Sequence, residues 1–189
     1  MIKDNEFKKI KEVPGPTKEE IRSIILYKSE VKETETIVDI GCGTGGLSTE
    51  FSLKAKKVYS IDSNKEAINI TKENIRKLGN IEKVELIHND GLSALETINE
   101  KIDIGIIGGS NGDLKEIITK IDEKLNKNGR IIIPSILLDT KLESVNILKN
   151  LNYTPEIIEV NISEGKILKR GIMMLSKNPI GIVSAKKEN

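Results

Sequence analysis

The residues of this chain best equipped for chemistry are two acids, Asp39 and Asp62, and the run Gly41-Cys42-Gly43-Thr44-Gly45-Gly46 that follows the first of them. Glycine at these positions allows positive φ and lets a ligand lie against bare backbone. The helix expected beyond the loop begins with unpaired N–H groups, which favour a carboxylate or a phosphate. A carboxylate such as Asp62 can accept from two neighbouring hydroxyls at once, as a ribose diol requires. Together these groups describe a cradle for a nucleoside cofactor with a charged tail. No nucleophile–base–acid triad can be drawn, since His88 is the only histidine and Cys42 the only cysteine.

Two cofactor classes fit such a cradle. Gly41-x-Gly43-x-x-Gly46 satisfies the dinucleotide fingerprint, with Asp62 twenty-one residues beyond Gly41 in the place of a ribose-binding acid. The same letters satisfy the D-x-G-x-G-x-G pattern of S-adenosylmethionine-dependent methyltransferases, through Asp39, Gly41, Gly43 and Gly45. Asp39 separates the two. An acid inside a core strand is costly unless something pairs with it, and a dinucleotide strand would carry an apolar residue there. With S-adenosylmethionine as cofactor, Asp39 orients the loop or the methionine amino group, and Cys42 and Thr44 join the glycines as loop contacts. The adenine is expected beside Asp90-Gly91, where a small residue leaves room; Asp90 is equally an ordinary turn acid. Methyl transfer from a sulfonium needs alignment more than acid–base groups, which suits a chain without a triad.

Holding these residues in place requires a parallel sheet. Thr36–Ile40 is an apolar, β-branched run, as a buried parallel strand should be. Residues 58–62, 84–88, 102–107 and 130–134 read as four more strands, separated by helical periodicity at 47–53, 65–78, 114–125 and 139–151. Asn64 and Gly79 mark the start and stop of the second of these helices. Residues 156–161 and 179–185 read as two further strands flanking a loop at 163–177. Residues 1–13 read as a polar surface lead-in. Thr17 and Glu20, after Pro14-Gly15-Pro16, form a T-x-x-E capping box, and Thr17 either caps that helix or lies beside the cofactor. The expected fold is α/β: a single Rossmann-like class I methyltransferase domain over 1–189. Its sheet is seven-stranded and mostly parallel, with an antiparallel terminal strand and helices on both faces.

Composition narrows the partners. Thirty basic against twenty-nine acidic residues give a net charge of +1, so no electrostatic case exists for a polyanion. Aromatic residues are 3 % with no tryptophan, which leaves little for stacking bases. One cysteine excludes an internal disulfide and a cysteine-rich metal site, and no metal is expected. Neither a signal peptide nor a membrane-length apolar run is present, so a cytoplasmic protein without membrane contact is expected.

The stretches PGPTKEEIR (14–22), VDIGCGTGG (38–46), IDSNKEAI (61–68), IGGS (107–110), GRIII (129–133) and RGIMMLSKNPI (170–180) resemble the decarboxylating cobalt-precorrin-6B methyltransferases of anaerobic cobalamin biosynthesis. The glycine loop is common to many methyltransferases, whereas the PGPT start, the IGGS end and the Met-Met/Asn-Pro tail are more particular. The resemblance implies methylation of carbon 15 of a cobalt-precorrin with loss of CO2 from the ring C acetate arm, giving cobalt-precorrin-7. It implies a homotetramer, and it makes Thr17 a cofactor contact. The chain departs from the family at Gly109-Ser-Asn-Gly112, where GSGG is frequent, and at Ile172, where GTMM is frequent. A contact made by that threonine is therefore not carried over.

The residues suit a polycarboxylate macrocycle independently. Gly109 and Ser110 end the fourth strand and face the substrate, unless Ser110 merely caps a helix beginning at Asn111. Arg130, Lys141, Lys166, Lys169 and Arg170 lie where they could ring an open cleft and bind carboxylates; each is otherwise a surface charge. Met173 and Met174 wall the macrocycle or pack in the core. The macrocycle can serve as nucleophile and electron sink, leaving the protein to bind and orient. The competing classes are a methyltransferase of RNA or protein, a dinucleotide oxidoreductase, and an inactive cofactor-binding subunit. The fourth strand lacks the Asn/Asp-Pro-Pro-aromatic ending that methylates base amino groups, which disfavours nucleic acid.

Overall fold

Runs of isoleucine and valine with few polar interruptions make the strands, and the computed structural model, which describes residues 1–188, joins seven of them in one sheet. In chain order the elements are α1 (Glu19–Ser29), β1 (Thr36–Ile40), α2 (Gly46–Ser52), β2 (Lys57–Asp62), α3 (Lys65–Leu78), β3 (Val84–His88), α4 (Gly91–Thr97) and β4 (Ile102–Ile107). They continue as α5 (Leu114–Lys124), β5 (Leu125–Ser135), α6 (Leu138–Asn150), β6 (Glu156–Val160), β7 (Ser163–Leu168), β8 (Gly171–Ser176) and β9 (Ile180–Lys186). The strand order is β3-β2-β1-β4-β5-β9-β6. The first five are mutually parallel, and β9 runs antiparallel to both β5 and β6. Strand order reverses between β1 and β4, and ligands of such sheets bind in the crevice outside the carboxyl ends at that point.

All five residues of β1 are buried because helices cover both faces. On one face Leu95, Ile117, Ile121 and Leu148 of α4, α5 and α6 pack on the sheet. On the other, Ile21 and Ile25 of α1 join Leu47 and Phe51 of α2. Each such side chain contributes about 1.5–3 kcal/mol on burial. The expected fold class stands: a seven-stranded, mostly parallel sheet with an antiparallel strand and helices on both faces.

Four local expectations need correction. The loop expected at 163–177 is a two-stranded hairpin, β7–β8, every residue of β8 exposed. Its residues face no core, so no apolar–polar alternation marks it. β5 begins at Leu125, five residues before the expected start at Arg130. Residues 1–13 are more than a lead-in: Phe7 and Val13 are buried, the latter against Ala67 and Ile70 of α3. The capping box is absent as well. The residue before α1 is Lys18, and no side chain caps that helix. By contrast Asn64 does cap α3, accepting from Glu66 N–H at 2.9 Å.

Candidate functional site

The glycine loop closes β1 by folding onto its neighbours. Gly41, Gly43 and Gly45 take φ of 74°, 58° and 80°, a left-handed conformation that costs most other residues about 1–2 kcal/mol. Gly41 N–H and Cys42 N–H both donate to Ile61 O of β2, at 2.9 and 3.0 Å. A side chain at Gly41 would stand 2.7 Å from the Gly109 nitrogen, so the loop and the turn after β4 touch backbone to backbone. Helix α3 grips the loop from behind. Thr71 Oγ1 donates to Gly43 O at 2.9 Å, and Asn74 Nδ2 donates to Thr44 O at 2.9 Å. The Cys42 thiol is buried against Thr71, and burial pushes its pKa well up, so it is an inert filler that leaves its backbone to the loop.

Three acids surround the loop in different states. Asp39 is 2 % exposed and accepts from Ser48 Oγ of α2, which in turn accepts from Ser60 Oγ at 2.8 Å. Burial pushes its pKa up to about 6, opposed by the Ser48 hydroxyl. Asp62 is half-buried at the end of β2. Its Oδ2 accepts from Gly43 N–H and its Oδ1 from Asn64 N–H, both at 2.9 Å. A carboxylate oxygen has capacity for a second bond, so Asp62 holds the loop and still has an acceptor site on each oxygen. Asp90 is exposed and caps α4, accepting from Ser93 N–H at 2.9 Å; that bond lowers its pKa. The turn-acid reading of Asp90 is thus satisfied.

The Pro-Gly-Pro turn lies against this loop. A side chain at Gly46 would meet Pro16 Cβ at 3.0 Å and Thr17 N at 3.4 Å, and Pro14 O faces Gly43. Thr17 is half-buried there without capping α1. At the same end of the sheet stands the β7–β8 hairpin. It leaves from the end of β6, which is parallel to β5, and so projects from the carboxyl end of the sheet. The Glu164 carboxylate beside Lys177 at its base raises the pKa of that amine, with Glu20 and Asp4 adding to the effect, which puts the hairpin next to the start of α1. Lys166, Lys169 and Arg170 are exposed on it and form no ion pair among the described residues. Met173 and Met174, 40 % and 61 % exposed, are not core residues.

Several expected contacts lie elsewhere. Arg130 does not reach the crevice. It is buried at the amino end of the sheet, where Nη1 and Nη2 clamp the two Glu35 oxygens at 2.8 Å and Nε donates to Ser29 O at 2.7 Å. Lys141 is likewise buried, paired with Glu159 at 2.9 Å. Gly91 has a packing reason to be small. A side chain there would meet Ile40 Cγ2 at 2.9 Å and Ile117 Cδ1 at 3.1 Å, so core side chains fill the space a Cβ would take. Ser110 is half-buried in the turn after β4 beside exposed Gly109, and the helix it was expected to cap begins only at Leu114. Thr71, Asn74 and Ser48 hold the loop yet were not singled out as site residues. The available signal was a polar residue on each helix's apolar face.

The donor set fits S-adenosylmethionine. Open acceptor sites on Asp62 suit a ribose diol, and the half-exposed backbone of Gly41 and Gly43 offers a bare surface. Thr44 Oγ1 is a buried hydroxyl without a partner, in the loop itself. Such a group costs about 1–3 kcal/mol and is readily explained where a ligand completes the site. Among the described residues no cluster of histidine, cysteine, aspartate and glutamate could hold a metal, and no helix is long and apolar enough to cross a membrane.

Comparison with known proteins agrees with this geometry. Residues 14–186 match the family model described as a precorrin methyltransferase domain. A Methanobrevibacter smithii protein named "Probable cobalt-precorrin-6B C(15)-methyltransferase (decarboxylating)" is 54 % identical over 187 residues, covering 99 % of this chain and all of that one. The crystal structure of precorrin 8W decarboxylase from Methanobacterium thermoautotrophicum superposes with a TM-score of 0.93 at 43 % identity, covering 98 % of this chain and 99 % of the other. That of precorrin-6y C5,15-methyltransferase from Geobacter metallireducens gives 0.90 at 30 % identity, covering 99 % and 98 %. Matched over residues 14–186 by the family model and over nearly its whole length by these relatives, the chain belongs to the precorrin methyltransferase family.

Proposed function

We propose that this chain, acting as one domain, methylates carbon 15 of cobalt-precorrin-6B from S-adenosylmethionine and releases the ring C acetate carboxyl as CO2, as the names of its relatives indicate for those proteins. When bound, S-adenosylmethionine supplies an electrophilic methyl group. Asp62 accepts the ribose hydroxyls, and Thr17 with the Gly41–Gly45 loop flanks the methionine end. Asp39 orients that end from below the loop. The observation that carries the substrate half is the hairpin. Three cations, Lys166, Lys169 and Arg170, stand with the exposed Met173 and Met174 on a hairpin at the carboxyl end of the sheet, a combination that suits a flat apolar ring fringed with carboxylates.

The same hairpin supports the homotetramer that the resemblance implies. Ile167, Ile172 and Met174 share one of its faces and are 83 %, 71 % and 61 % exposed, more apolar surface than a lone ribbon keeps in water. A cytoplasmic location follows from the biosynthetic role. The test is direct. Purified protein given S-adenosylmethionine and cobalt-precorrin-6B should yield a product heavier by one methylene and lighter by CO2. A mass spectrum with methylation alone would refute the decarboxylation, and no methylation with the cofactor bound would refute the substrate.

A further inference from the structure

Arg22, on the first helix, has no exposed surface, although arginine is almost never fully buried without pairing. Its partners come from three separate parts of the chain. Nη1 donates to Asp4 Oδ1 at 2.7 Å and to Thr17 O. Nη2 donates to Ile2 O, and Nε to Glu50 Oε1 at 3.4 Å. The guanidinium also lies 4.8 Å from the centre of the Phe7 ring. Glu50 is on α2, immediately beyond the glycine loop, and the same Oε1 accepts Ile2 N–H at 2.8 Å. One planar group therefore joins the residues before the Pro-Gly-Pro turn, the Thr17 carbonyl that ends it, and the helix that the loop feeds.

We infer that Arg22 is a positioning residue for the cofactor site: it fixes Thr17 and Pro16 against Gly46 by holding the Thr17 carbonyl and Glu50 at once. The inference rests on the proposed reading that Thr17 and the glycine loop receive S-adenosylmethionine. Two observations separate it from a role in stability alone. First, neutralising a buried guanidinium takes one carboxylate, as Arg130 with Glu35 demonstrates, whereas Arg22 takes two, Asp4 before the Pro-Gly-Pro turn and Glu50 on α2 beyond the loop. Second, Pro16 is buried against the one glycine, Gly46, where the loop becomes helix, so a shift of the turn moves the loop. Lysine carries the same charge on a single point and cannot span these partners.

The test uses the full chain and calorimetry with S-adenosylhomocysteine, beside thermal melting. Arg22→Lys keeps the charge and loses the fork; its affinity should fall about tenfold, the scale of one hydrogen bond lost to the cofactor. Arg130→Lys makes the same change at the opposite end of the sheet, and should lower the melting temperature without altering affinity. Asp4→Asn, at a half-buried partner, should weaken binding several-fold and decides the matter if Arg22→Lys does not fold. Parent-like affinity in folded Arg22→Lys, or in Asp4→Asn when the former is unfolded, would overturn the inference. A parent protein that does not bind S-adenosylhomocysteine would instead overturn the cofactor reading beneath it.

Discussion

The two ends of the sheet are both rich in buried and half-buried charge, and they use it differently. At the amino end Arg130 is saturated by Glu35 and three carbonyls, those of Ser29, Glu30 and Asn128. Lys57 donates to Tyr59 and Glu100 while Tyr59 also donates to Glu100 at 2.6 Å. Each group there answers another. At the carboxyl end Asp62 holds the loop with acceptor capacity to spare, Thr44 has a hydroxyl without partner, and Asp39 is charged against its burial. Open valence, more than the density of charge, distinguishes a binding site from a fastening. The arginines mark the contrast: Arg22 and Arg130 grip opposite ends of α1, and only the first lies beside unsaturated groups.

The sharpest way to break this comparison is Asp62→Ala. On the proposed reading it removes two charge-assisted hydrogen bonds to the cofactor, each worth roughly 1.5–3 kcal/mol, and calorimetry with S-adenosylhomocysteine should show a loss of affinity of more than tenfold. Retained affinity would mean the spare acceptor sites are idle. Next in size is Arg130→Ala, which strands Glu35 and should cost about 3–5 kcal/mol of stability by denaturant titration, with cofactor affinity unchanged in the folded protein.

Asp39 gives a change of opposite sign in two measurements. Its pKa is raised from an ordinary 3.8 to about 6. An acid shifted this way favours the fold below its unfolded value, and that contribution is lost as pH rises from about 4 through about 6. At pH 7 Asp39→Asn should therefore melt higher, by at most about 3 kcal/mol of stability, and yet bind S-adenosylhomocysteine more weakly. A variant that is less stable at pH 7 would contradict the burial argument. The smallest effect is expected from Thr17→Ala. Because Thr17 does not cap α1, melting should move by less than about 0.5 kcal/mol. Affinity should fall by about 1 kcal/mol, the usual worth of a hydrogen bond.

What could be read from the sequence was whatever repeats or alternates. Thr36–Ile40, the glycine spacing, Asp62 and the Asn64 cap announce themselves because local geometry demands those residue types. The terminal strand pair followed from two apolar runs, and the structure inserts β9 between β5 and β6. The hairpin escaped notice because Ile167 and Ile172 face outward, so burial imposes no period on it. Arg130 misled because its partner Glu35 is ninety-five residues away, and no local pattern distinguishes a committed guanidinium from a free one. The packing reason for Gly91 is equally nonlocal: its tight contact is with Ile40 and Ile117, both distant in sequence. Arg22 lay inside a motif, yet only the fold reveals that its partners flank the loop.

The place of β9 bears on how the molecule is made. β5 and β6 are neighbours of β9 and not of each other, so the sheet has a gap until residues 180–186 have been synthesised. A nascent chain ending short of Ile180 carries the bare edge of β5, with Ile131 to Ile133 on it, and a β6 with nowhere to pair. Such an edge invites pairing with another chain. Translation that pauses before residue 180 should therefore favour chaperone capture, and the fold should close only when the late strand slides into its slot.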